Sequence, residues 1–135
     1  MIPFRSSKRC SALALTLALL TGCENPFAGD YLCPDDRSPA IEVEIRDART
    51  GAPVAQDARG AVHDGAYIDS LKPSGGTGPD PFVLVSRSAA EERPGTYLVE
   101  VTHAGYQPWT MGGVRVGAGR CGVRTRRLTA SLEPL

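Results

Sequence analysis

Ile41, Val43 and Ile45 alternate with Glu42, Glu44 and Arg46 in the stretch AIEVEIRD, and this alternation constrains the fold more than any other local feature. Successive side chains on a strand point to opposite faces, so a period of two gives one apolar face and one charged face. GTYLVEVTHAGY repeats the pattern, with Tyr97, Val99 and Val101 facing inward and Glu100 and Thr102 outward. Fifteen glycines and 11 prolines interrupt almost every candidate helix. A proline in a helix interior costs roughly 3 kcal/mol, so short strands joined by turns are the favoured solution.

The turns mark where the strands stop. Thr50-Gly51 and Pro53 close the first strand in DARTGAPV. ARGAVHDGAYIDSL reads as two short strands meeting near Asp64-Gly65, a strong hairpin dipeptide. KPSGGTGPDP is a loop, FVLVS (Phe82 to Ser86) suits a strand, and SAAEE (Ser88 to Glu92) is the one place for a helical turn. GGVRV and CGVRTRRLTASL supply the last strands. Val123 and Leu128 differ in parity, which predicts a bulge or bend in the final strand. The reading is an all-β fold, an antiparallel β-sandwich of about seven strands.

The N-terminus carries a different signal. Arg5, Lys8 and Arg9 precede a short apolar run from Ala12 to Leu20, too short for a membrane span but suited to a cleaved signal peptide. Leu20-Thr21-Gly22-Cys23 then resembles the lipobox of bacterial lipoproteins. That resemblance implies cleavage before Cys23, diacylglyceration of its thiol, and acylation of the new amine. Two or three acyl chains anchor stably where one does not. The expected organisation is a signal peptide over residues 1–22, a lipidated N-terminus and tether over 23–39, and one sandwich over 40–135.

With Cys10 removed and Cys23 lipidated, Cys33 and Cys121 remain in an oxidising compartment, where a pair is expected to form a disulfide. They lack the local C-x-x-C spacing of a zinc site. The signal peptide takes three of the 15 basic residues and none of the 15 acidic ones, so the mature chain carries a net charge of −3. That balance argues against a nucleic-acid partner. Arg124, Arg126 and Arg127 cluster, but they are read as a solvated strand face.

IEVEIRDARTGAPV, PGTYLVEVTHAGYQPW and RLTASLEP together resemble the carboxypeptidase regulatory-like domain, a transthyretin-like sandwich related in architecture to immunoglobulin-like domains. The resemblance covers roughly Ile41 to Pro134. Asp47, Thr50, Gly51, Pro53 and Val54 match the family's first turn, and Tyr97, Val99 and Val101 running into Ala104-Gly105-Tyr106 match its penultimate region. These matches identify strands and turns, not a catalytic site. No H-x-x-E zinc motif occurs, and the Tyr-Arg-Gly-Ser ending of hydroxyisourate hydrolases, which share the transthyretin-like fold, is absent.

Candidate chemistry is sparse. His63 and His103 are the only histidines and stand in no motif that supplies a partner, so they are read as ordinary surface or turn residues. Asp35, Asp36 and Asp80 are too few for a Ca²⁺ loop, and SGGTG, Ser74 to Gly78, lacks the Gly-Lys-Ser/Thr ending of a phosphate loop. Tyr106 and Trp109 in GYQPWT offer ligand contact or a plug for the end of the sandwich. No metal or cofactor is expected. The function implied is a non-enzymatic, membrane-anchored envelope module that binds an envelope protein or glycan. The alternative is a small envelope hydrolase with a site built from strand ends.

Overall fold

The computed structural model describes residues 32–75 and 80–135. The chain divides into two compact units, Met1–Cys33 and Pro34–Leu135, and only Leu32 and Cys33 of the first fall among the described residues. Cys23, the signal peptide, most of the tether and the centre of the SGGTG loop lie outside them.

The second unit is all-β and sandwich-like. One sheet has the order β10-β1-β5-β4, formed by β10 (Arg126–Leu132), β1 (Pro39–Asp47), β5 (Ser86–Glu91) and β4 (Lys72–Ser74). The other has the order β3-β2-β6-β7, formed by β3 (Tyr67–Ser70), β2 (Arg59–Asp64), β6 (Gly95–Thr102) and β7 (Trp109–Val116). A two-stranded ribbon joins β8 (Ala118–Gly119) to β9 (Gly122–Val123). The alternating residues do as their pattern predicts: Ile41, Val43, Ile45, Tyr97, Val99 and Val101 are all fully buried in one core. Each such aliphatic side chain contributes about 1.5–3 kcal/mol by leaving water.

Three expectations are corrected. The sandwich is not wholly antiparallel, because β10 pairs with β1 in parallel, from Ile41 opposite Arg126 to Asp47 opposite Leu132. Both ladder types have a period of two, so alternation carries no information about direction. The parallel pair needs a long crossover, and the chain between β1 and β10 supplies it.

The second correction concerns Phe82 to Glu92. Phe82 and Val83 lie outside any strand, and the strand begins at Ser86 and runs through the Ser-Ala-Ala-Glu segment expected to turn helically. Alanine and glutamate favour helix locally. Here β5 lies between β1 and β4, and Ala89 and Ala90 are both buried. Ala90 and Glu92 take positive φ values of 58° and 54°, with the Ala90 N–H donating to Asp69 Oδ2 at 2.9 Å. Tertiary contacts thus override propensity.

The third is the end of the chain. Val123 and Leu128 belong to separate strands, so the parity change reflects a break at residues 124–125, not a bulge within one strand. A bulge does occur elsewhere: Leu98 stands opposite two residues of β7, Gly112 and Gly113, and Gly113 adopts φ +67°.

Both flanks of the sandwich are closed. Leu71 carries the chain from β3 in one sheet to β4 in the other, and its N–H donates to Gly60 O at 2.9 Å. On the opposite flank β10 and β7 approach one another. The terminal residues then pair with the loop before β7, Gln107 N–H to Glu133 O at 2.8 Å and Leu135 N–H to Gly105 O at 3.0 Å.

Candidate functional site

The registers separate two ends of the sandwich. β1 starts beside Arg126 and Glu91, so the β7–β10 connection with its β8–β9 ribbon and Cys121 belongs to the starting end. β1 finishes beside the β4–β5 loop, where the Ile45 N–H donates to Val85 O at 3.1 Å. The turn after Asp47, the β6–β7 turn and the C-terminal residues share this finishing end.

Cys33 and Cys121 form the expected disulfide. It fastens Cys33 to the ribbon at the starting end.

At the finishing end Asp47 organises two turns. Its Oδ1 accepts the N–H groups of Arg49 at 2.7 Å and Thr50 at 2.9 Å, and its Oδ2 accepts the Tyr106 hydroxyl at 2.8 Å. Gly51 takes the positive φ of 72° that this turn requires. Tyr106 is half-buried against the core and bridges to Pro134, and Trp109 is half-buried opposite Val101. Both rings therefore pack into the end of the sandwich and leave only part of their surface for contact.

The same bonds shift the titration of both groups. The Thr50 N–H, then the Tyr106 hydroxyl, hold the Asp47 carboxyl below its ordinary value, and the bond to Asp47 holds the Tyr106 phenol above its own. The Asp47 contribution to stability is present above the ordinary carboxyl pKa of 3.8 and fades as pH falls through the lower folded value. The Tyr106 contribution is present below the ordinary phenol pKa of 10.0 and fades as pH rises through the higher folded value. Tyr106→Phe is expected to melt below the parent at neutral pH, with the gap narrowing below about pH 4 and above about pH 10. Thermal melts across pH check this, and a gap independent of pH would remove the hydrogen bond from the account.

The most exposed apolar side chains at this end were not marked by the sequence. Phe82 is 92% exposed and Leu135 84% exposed, with Val83 at 38% beside Phe82. Asp80 builds the turn that presents Phe82: Oδ1 accepts the Phe82 N–H at 2.9 Å, and its carbonyl accepts the Val83 N–H at 3.2 Å. The signal was the dipeptide Asp80-Pro81, which favours the first two positions of a turn and was outweighed by the β-branched residues that follow.

The histidines are not brought together. His63 on β2 lies 2.9 Å from Glu100 Oε2 on the outer face of its sheet. His103 precedes the β6–β7 turn, with Nδ1 at 2.7 Å from Ala104 O and its ring edge-on to Tyr106 at 4.8 Å. Asp35 and Asp36 are exposed, and among the described residues no group of three or more His, Cys, Asp and Glu side chains is arranged to hold a metal ion.

Sequence reasoning also missed Arg93, which lies 3.8 Å over the Tyr67 ring, donates to Asp64 Oδ2 at 2.8 Å and to the Tyr97 hydroxyl at 3.1 Å. It ties the β2–β3 hairpin to the start of β6, a structural role. No family model matches this chain, and no curated protein matches it.

Proposed function

We propose that the chain is a bacterial envelope lipoprotein, processed after residue 22, acylated at Cys23 and tethered through residues 23–39. Its sandwich over 40–135 is a carboxypeptidase regulatory-like domain of the transthyretin-like kind. It serves as a non-enzymatic binding, adhesive or structural module for an envelope protein or glycan.

The observation that carries this reading is the separation of the two ends. The disulfide to Cys33 is at the end where β1 starts, and exposed Phe82, Val83 and Leu135 are at the end where β1 finishes. An anchored module needs its contact surface away from its attachment. Exposed apolar side chains on loops braced by a rigid sandwich suit recognition, with Tyr106 and Trp109 supporting that end from within. Among the described residues His63 bonds to a carboxylate and His103 to a backbone carbonyl, and neither bonds to a serine, threonine or cysteine side chain.

A two-part experiment in cells tests the proposal. Fatty-acid labelling is expected to mark the parent and to spare Cys23→Ala, and equal labelling of the two rejects the anchor. A photo-crosslinking residue at Phe82 is expected to yield a discrete adduct, whereas the same residue at Ile68, exposed on the outer face of a sheet, yields none. Adducts from Ile68 alone would move the contact surface off the loop end.

A further inference from the structure

Between Glu100 and Glu133 the chain holds no acidic residue and five arginines, Arg115, Arg120, Arg124, Arg126 and Arg127. The topology places them along the β7–β10 edge, with Arg115 on the outer face of one sheet and Arg127 on the outer face of the other. β7 and β10 are edge strands of different sheets that approach one another, and the β8–β9 ribbon leaves the first and returns to the second. All five arginines are exposed. Arg127 reaches Glu42 at 3.2 Å with 83% of its side chain still in solvent. Arg115, Arg124 and Arg126 make no ion pair among the described residues.

Three carboxylates stand near this end: Glu92, which lies against Gly122 of the ribbon, and Asp35 and Asp36, which follow the bridged Cys33. Asp64 is held by Arg93, and Glu92 accepts the Ser38 N–H. Glu91 ends β5, separated from β10 by β1. Asp35 and Asp36 are exposed just beyond Cys33. Five arginines outnumber these three carboxylates and the paired Glu42, so the flank is locally basic on a mature chain whose net charge is −3. At about 0.1 M salt charges farther than about 10 Å are screened, so the flank acts on what it touches.

We propose that this arginine flank docks on a bilayer surface rich in anionic phospholipid, the surface to which the acylated Cys23 would hold the chain. The inference rests on the lipoprotein reading. Nine residues lie between Cys23 and Cys33, which makes ten steps along the chain. At full extension they span about 33–36 Å, and Cys33 is bonded to the ribbon that carries Arg120 and Arg124. The tether therefore ends at this flank and not at the Phe82 end. Lipid insertion raises the local concentration of the flank at the surface, and guanidinium groups pair bidentately with phosphate. Each arginine close to an anionic surface strengthens binding about fivefold.

The test uses the mature chain with Cys23→Ser, which removes the lipid and isolates the flank from the anchor. Its co-sedimentation with phosphatidylcholine vesicles is measured with and without phosphatidylglycerol. Binding is expected only with phosphatidylglycerol, and is expected to be lost between about 0.05 M and about 0.5 M salt. The triple variant Arg115→Ala, Arg124→Ala, Arg126→Ala is expected to bind at least about tenfold more weakly. Arg49→Ala, at the other end, should match the parent, and the triple Arg→Lys variant should retain most of the binding. Equal sedimentation with both vesicles, no sedimentation at low salt, or a folded triple alanine variant that binds like the parent overturns the proposal. So does equal competition by short duplex DNA, which marks a general polyanion patch. Loss of the anchor reading would appear separately, as failure of Cys23 to take up fatty acid.

Discussion

Replacing Cys33 and Cys121 together by alanine is expected to destabilise the domain by about 4–5 kcal/mol. The bridge closes a loop from residue 33 to residue 121, most of the domain, and in the chain-entropy treatment its stabilisation grows with the logarithm of loop length. A domain of this size has net stability of about 5–15 kcal/mol, so the loss brings it close to unfolding. The melting temperature should fall by about 20 °C. Urea titration checks the mechanism as well as the magnitude, because an uncrosslinked denatured state exposes more surface and should steepen the dependence on denaturant. Removing both cysteines avoids the complication of a free thiol. An unchanged urea midpoint would mean that the denatured chain gains no freedom when the bridge is lost.

Tyr97→Ala is expected to cost about 3–5 kcal/mol, by loss of apolar burial together with the cavity left behind. Tyr97 is the largest fully buried side chain, on the inner face of β6 beside Val99. Its hydroxyl donates to Arg93 O at 2.6 Å and accepts from Arg93 Nη1 at 3.1 Å. Tyr97→Phe keeps the ring but takes the donor from a carbonyl beside a buried contact, and is expected to cost about 1–3 kcal/mol. Arg93 also holds Asp64, so the phenylalanine variant should loosen the β2–β3 hairpin before the rest of the sheet. Amide exchange across residues 64–67 resolves that order. Equal stability of parent and both variants would place the stabilising core elsewhere.

Asp64-Gly65 and Thr50-Gly51 were legible as turns because the required backbone conformations are local: Gly65 and Gly51 both take positive φ, at 58° and 72°. The disulfide was legible through elimination among four cysteines, given a compartment in which thiols pair. The end of the sandwich was only half legible. Tyr106 and Trp109 stood out as rare aromatics, yet the geometry turns much of both rings inward. The exposed Phe82 had been assigned to a strand, because FVLV has strand composition and the Asp80-Pro81 turn before it carries less weight in a residue-by-residue reading. Arg124, Arg126 and Arg127 read as an ordinary solvated strand until the closing of β10 on β7 brought Arg115 to the same flank.

Alternation and turn chemistry, read from the sequence alone, determined that this chain builds strands and which face of β1 and β6 enters the core. Both are short-range properties, decided by neighbours two residues away or by the φ a turn demands. Only the tertiary structure decided that β10 runs parallel to β1, that an alanine- and glutamate-containing segment becomes the strand β5, and that Asp47 meets Tyr106 across 59 residues. Those outcomes depend on which distant edge offers unpaired backbone groups and which gap a small side chain fills. Local sequence does not encode either, so the positions of the disulfide and of Phe82 at opposite ends emerge only when the sheets assemble.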